Sequence, residues 1–218
     1  MDKKIGLLLD TETIEGRQIY DFACHVIDVQ GNVLHSVNFI NSDLFNSDNF
    51  GLFFNSRFVS YEKYQWYEKA IASGKIPCIS WQNIINELNS IISKYNVSFF
   101  TAYNITFDLT ALAKTCDMYN VNSSFLYNRG LKYLDLWKLS KNHIATNAYN
   151  KYCISREWIT KTRKKPKTTA ECIYRYIAKD DLFIESHTAL NDCDIELTIY
   201  RKCKQKKKKI PANVYVKL

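Results

Sequence analysis

The segment Lys4-Ile5-Gly6-Leu7-Leu8-Leu9-Asp10-Thr11-Glu12-Thr13 constrains the fold more than any other part of the chain. A strand with one wet face alternates apolar and polar residues, and this segment does not. An unbroken run from Ile5 to Leu9 marks a strand covered on both faces, and the polar residues that follow mark where it surfaces at its C-terminal end. At 218 residues the chain fits one domain, large enough to bury such a strand without metals or disulfides to hold the core.

The pattern after this strand fills in the class. Residues 20–28 and 33–40 are β-rich and are joined by Val29-Gln30-Gly31-Asn32, a plausible turn, so an antiparallel meander follows the first strand. Residues 43–76 hold Phe45, Phe50, Phe53, Phe54, Phe58, Tyr61, Tyr64, Trp66 and Tyr67 without a clean period, and read as irregular cover with helical pieces. Ser80 is placed to cap a helix reaching about Tyr95, because Ile84, Ile85, Leu88, Ile91 and Ile92 recur at helical spacing. Residues 97–102 form a strand, a helix runs from Phe107 to about Tyr119, and residues 132–136 make a short strand. The stretch 137–167 has no single reading. Thr168-x-x-Glu171 has the spacing of a capping box, and a last helix covers about 188–203. Strands first, then alternating helices and strands, predict an α/β fold: a mixed sheet flanked by helices.

Composition removes several classes of function. No apolar run approaches the ~20 residues of a membrane helix, and the run after Met1-Asp2-Lys3-Lys4 is too short for a secretion signal. A cytoplasmic protein is expected, in the host cytoplasm if the source is viral. Seven cysteines, with no Cys-x-x-Cys pair, read as reduced, buried thiols. The net charge of +8 matches the eight cations of the last eighteen residues, Arg201, Lys202, Lys204, Lys206 to Lys209 and Lys217, so residues 1–200 are neutral overall. That sets a basic tail, 204–218, apart from a domain at 1–203. Lys161, Arg163, Lys164, Lys165 and Lys167 form a second basic cluster around Pro166. Two such blocks on a neutral body suit a polyanion; a solvated tail and a solvated loop are the plain alternative.

Three segments carry candidate chemistry. The two-residue period of a strand puts Asp10 and Glu12 on one face, with Thr11 pointing away. Two acids there repel unless a cation neutralises them, and carboxylates with water suit Mg²⁺ or Mn²⁺. Asp108 falls in the first turn of its helix, where the macrodipole favours an anion, and capping that helix is the plain alternative. In the last helix Asp192 lies on the flank of the apolar stripe and leans inward, whereas Asp194 leans out; Glu196, one turn beyond Asp192, stays open as a neighbour. His187 and Asp192 converge only if His187 sits at the helix entrance, which Ser186 and Thr188 make plausible as caps. His25, His35 and His143 have no acid at ligand spacing on their own elements, and neither a phosphate loop nor a Gly-x-Ser-x-Gly elbow occurs.

In order, Asp10-x-Glu12, Asn104-x-x-Phe107-Asp108 and His187-x-Ala189-x-x-Asp192 resemble the three motifs of the DnaQ-like, or DEDDh, exonuclease family. The stretch 168–196 is similar to exonucleases encoded by bacterial viruses. The resemblance implies a ribonuclease-H-like fold, in which three antiparallel strands precede the helix-alternating part. It also implies that Asp10, Glu12, Asp108 and Asp192 hold two Mg²⁺ or Mn²⁺ ions and that His187 is the general base. Thr13, Asn104 and Phe107 would contact the terminal nucleotide, and Lys164 and Lys165 the backbone, of single-stranded DNA or RNA 3′ ends. The activity implied is 3′→5′ release of nucleoside monophosphates, with DNA favoured. An exoribonuclease trimming RNA, and a nucleic-acid-binding protein that no longer cleaves, are the alternatives. The aromatic 43–76 segment and the lysine tail have no counterpart in the resemblance.

Overall fold

The structure is a computed structural model and describes residues 4–53, 59–127, 130–206 and 208–217. Phe54 and Phe58 of the aromatic stretch and Lys207 of the lysine run lie outside them. Seven strands form one mixed sheet: β1 (Ile5–Ile14), β2 (Gln18–Asp28), β3 (Val33–Asn41), β4 (Cys78–Ile79), β5 (Val97–Ala102), β6 (Lys132–Asp135) and β7 (Tyr215–Val216). Their order is β4-β3-β2-β1-β5-β6-β7. The β1–β2 and β2–β3 pairs are antiparallel, as the meander predicts, and β1–β5 and β5–β6 are parallel.

The unbroken apolar run is explained by the position of β1 in the middle of this sheet. Leu7 and Leu9 pack against α3 (Trp81–Lys94) and α4 (Ile105–Met118), while Leu8 packs against α5 (Leu136–His143) and α8 (Ala189–Gln205) on the other face. All three leucines are fully buried, which stabilises the fold by roughly 1.5–3 kcal/mol for each side chain. Gly6, just ahead of them, is required by space, because a Cβ there would fall 2.1 Å from Phe99 Cζ on the neighbouring strand.

Ser80 caps α3 as predicted, accepting from the Asn83 amide. The capping box at Thr168 needs correction: Thr169 caps α7 (Ala170–Ala178) by accepting from the Cys172 amide, while the Thr168 hydroxyl accepts from the Trp137 indole. Helix α4 begins at Ile105, two residues before the predicted start, on a left-handed Asn104. The undecided 137–167 stretch contains α5 and α6 (Asn147–Ser155), and Leu136, assigned above to a strand, starts α5.

The aromatic segment forms α1 (Phe50–Phe53), α2 (Tyr61–Ala72) and a cluster in which Phe45, Phe53, Tyr64 and Tyr67 enclose Tyr20 of β2. Within the stretch set apart as a basic tail, Val214 is fully buried and β7 pairs with β6 at the sheet edge. All seven cysteines are free thiols, and every one except Cys78 is buried. Among the described residues, no helix is long and apolar enough to cross a membrane.

Candidate active site

The C-terminal end of β1 opens into a cavity of about 680 Å³ between α4, α5, the start of α7 and the start of α8. Asp10, Glu12, Thr13, Asn104, Phe107, Asp108, His187 and Asp192 line it, so eight of the ten residues singled out from the sequence meet in one place. Lys164 and Lys165 do not. They lie exposed on the loop that runs from Thr160 to Lys167, and both ends of that loop line the cavity.

Each carboxylate arrives by a different route. Asp10 and Glu12 share a face of β1. Thr11 points to the other face, and its hydroxyl donates to Asp108 Oδ1 at 2.8 Å. Asp108 is therefore tied across the end of the sheet to β1 and is not a simple helix cap. Asp192 is 7 % exposed and faces inward, whereas Asp194 has a side chain 63 % exposed and meets His25 Nε2 at 3.0 Å. His187 adopts φ 53°, directly ahead of Thr188, the N-terminal flank of α8. This is the entrance position the sequence required, and it brings His187 Nδ1 within 4.0 Å of Asp192 Oδ2.

That entrance is fixed by a residue absent from the sequence argument. Asp21 of β2 is fully buried and accepts three hydrogen bonds: the Ala189 amide at 3.0 Å, the Tyr67 hydroxyl at 2.6 Å and Asn38 Nδ2 at 2.6 Å. It thus joins the first amide of α8 to α2 and β3. Lys63 of α2 donates to the His187 carbonyl, and its ammonium lies 3.8 Å from Glu12 Oε2. Glu185 and Glu196 add two acids to the cavity. Glu196 settles the point left open above, being only 3 % exposed and turned toward Asp10 and Asp108. Tyr103 and Trp137 contribute two aromatic walls beyond Phe107. The helical period flagged Glu196 as a possibility. Lys63 and Asp21 gave no signal, since a lysine in an aperiodic stretch and an acid within a β-rich run have no distinguishing pattern.

Six acids around one cavity raise each other's affinity for protons. Burial, followed by repulsion from neighbouring carboxylates, pushes Asp10 and Glu196 well above the usual carboxylate range. Burial likewise raises Asp108 to about 7, and burial with the Glu185 charge raises Asp192 to about 8. Glu12 is also raised by burial, against the lowering effect of Lys63. Glu185 is pushed up to about 7 by burial and by Glu171. His187 moves the other way, because burial and the nearby Lys63 disfavour its charged form.

Two buried carboxylate oxygens, Asp192 Oδ1 and Glu196 Oε2, have no hydrogen-bond partner among the described residues. Glu12 and Asp192 come within hydrogen-bonding reach of each other, a contact two carboxylates make only when one holds a proton. A desolvated, carboxylate-rich cluster with orphaned acceptors fits a hard divalent cation. Glu12, His187 and Asp192 present ligand atoms all within 4.8 Å of one another; Asp10 and Asp108 line the same cavity outside that tight group. Compared with models of known protein families and with curated proteins, the chain matches none.

Proposed function

We propose that this chain is a metal-dependent 3′→5′ exonuclease of the DnaQ-like, DEDDh type, built on a ribonuclease-H-like sheet. One observation carries the reading: Asp10, Glu12, Asp108 and Asp192 come from three distant segments and converge with His187 on a single cavity. The sheet order supports it, since an antiparallel β1–β3 meander joined to parallel β5 and β6 is the arrangement expected of such a domain. Two ions, Mg²⁺ or Mn²⁺, would be held by the four acids, and when bound they supply water activation and neutralise charge on the leaving 3′ oxygen.

The side chains divide the remaining work. His187 is neutral at pH 7 because its pKa is lowered, so its imidazole is free to take a proton from the attacking water. Its side chain is 37 % exposed, which leaves a path for that proton to bulk water. Phe107, Tyr103 and Trp137 offer faces on which the terminal bases stack, in the sequence-tolerant way that suits single strands. Thr13 and Asn104 line the same cavity within reach of the terminal nucleotide. Lys167 at the rim, with Lys164 and Lys165 beyond it, meets the backbone. The product is a nucleoside 5′-monophosphate. DNA is the favoured substrate, with RNA as the alternative.

The deciding experiment is a time course on 5′-labelled single-stranded DNA and RNA of matched sequence, with Mg²⁺, Mn²⁺ or chelator, using Asp192→Asn as control. A ladder shortening from the 3′ end, present only with metal and absent in the variant, is expected. Intact oligonucleotides in every lane, from folded protein that still binds them, would instead establish a binding protein that does not cleave.

A further inference from the structure

A second cavity, of about 460 Å³, lies at the opposite end of the helical layer, where α6, α7 and α8 end. Arg156, Lys179, Lys202 and Lys206 line it beside the rings of Tyr152 and Tyr176. Its one acid, Asp181, is already engaged: Arg156 Nε lies 2.5 Å from Asp181 Oδ2, and the Tyr152 hydroxyl donates to the same carboxylate. Among the described residues, no acid pairs with Lys179, Lys202 or Lys206.

A cation at a helix C-terminus offsets the macrodipole, and Arg156, Lys179 and Lys206 follow α6, α7 and α8 in this way. That accounts for one cation at each end. It does not account for three such ends meeting around one cavity with Lys202 added, where like charges repel unless an anion lies between them.

One segment connects this cavity to the carboxylate site. Arg156 lines the basic cavity, Thr160 and Lys167 line the acidic one, and Lys161, Arg163, Lys164 and Lys165 stand exposed between them. An Ile159–Pro166 bridge and a 2.7 Å bond from the Thr160 amide to the Lys165 carbonyl hold that segment in a turn.

We propose that the basic cavity is a second phosphodiester-binding site, gripping the strand upstream of the 3′ end that the carboxylate site receives. This rests on the nuclease reading and extends it to a substrate length. Lys206 lies fourteen residues beyond Asp192 along α8, about 21 Å at 1.5 Å per residue. A stacked strand rises 3.4 Å per nucleotide, so the grip falls about six nucleotides from the terminal phosphodiester.

The test compares 5′-labelled oligothymidylates of four and twelve nucleotides, bound with Ca²⁺ in place of Mg²⁺ so that the carboxylates are neutralised, across a salt series and read by fluorescence anisotropy. The variants are wild type and the combination Lys179→Asn, Lys202→Gln and Lys206→Gln, with Asn chosen because residue 179 is left-handed. For wild type the twelve-mer should show a salt slope steeper than the four-mer by about two, as three lysine contacts to a single strand imply. The variant should lose that difference while keeping four-mer affinity, which also reports that it is folded. Unchanged twelve-mer slopes in the variant would overturn the second site and leave the nuclease reading standing. Failure of wild type to bind either oligomer would overturn the nucleic-acid reading itself, and this inference with it. Micromolar binding of inorganic phosphate, lost in the same variant, would make the cavity a small-anion pocket and overturn the track.

Discussion

The Lys63 ammonium sits 3.8 Å from Glu12 Oε2 while also donating to the backbone carbonyl of His187. With side chains only 11 % and 13 % exposed, the lysine and the glutamate meet largely away from water. A fixed positive charge at that point competes with any divalent ion for Glu12. Lys63→Met should therefore tighten Mn²⁺ binding at pH 8.5 about tenfold, a change of about 1.4 kcal/mol. Electron paramagnetic resonance of free Mn²⁺ during titration reads this directly, and an unchanged or weaker affinity would show that the lysine helps hold the ion.

Glu196 gives a prediction of opposite character. One of its oxygens is buried without a partner, and its charge adds to that of Asp10 and Asp108. Glu196→Gln keeps the shape and removes the charge. In chelator at pH 8 the variant should melt a few degrees above wild type, about 3 °C for each kcal/mol recovered. Mn²⁺ should bind it more weakly. A lower melting temperature with unchanged Mn²⁺ affinity would mean that the carboxylate has a purely structural role.

The acid cluster also sets a pH dependence of stability. In the folded chain Asp108 titrates at about 7 and Asp192 at about 8, against about 4 for an ordinary carboxyl group. Between those limits the folded state holds protons that the unfolded chain has released, so stability is greatest at the acid end of the window and falls as pH rises through it. His187, with its lowered pKa, acts in the opposite sense as a single group. In chelator the melting temperature should be higher at pH 5.5 than at pH 8. Added Mg²⁺ should raise it more at pH 8, where the ion meets less competition from protons. Calorimetric scans at both pH values, with and without metal, settle the sign.

Asp21 links the site to its scaffold. Asp21→Ala leaves the Tyr67 hydroxyl and the Ala189 amide without their acceptor, and Asn38 Nδ2 with only the Phe22 carbonyl. The loss should be about 3 kcal/mol in urea unfolding, as for an uncompensated buried network. The proposed nuclease activity should fall with it, because the turn carrying His187 loses its anchor. Full activity in a destabilised variant would separate the anchor from the chemistry.

The parts of the fold with a clean period were legible. Leu7 to Leu9 announced a strand covered on both faces, and Ser80 with the isoleucines of α3 announced that helix, because burial and capping leave local marks. The flank position of Asp192 announced its inward lean for the same reason. The segment 43–76 was opaque because its aromatics pack as an irregular cluster around Tyr20 rather than along one helical stripe, and Lys63 was hidden with it. Thr168 and Thr169 are adjacent and chemically alike. The Trp137 indole, 31 residues earlier, engages the first and leaves the second to cap α7, a choice no local spacing encodes.

The placement of β1 at the centre of the sheet has a consequence for assembly. Asp10 and Glu12 lie on β1, whose antiparallel partner β2 follows it closely in sequence. Asp108 and Asp192 come from about a hundred and a hundred and eighty residues later in the chain. Closing contacts so far apart in sequence costs loop entropy that the β1–β2 pairing does not, so the carboxylate cluster is expected to assemble only when α8 docks on the sheet. On the proposed reading, metal capture in a refolding experiment would time the arrival of the last helix, and a chain stalled before that step would lack the proposed activity.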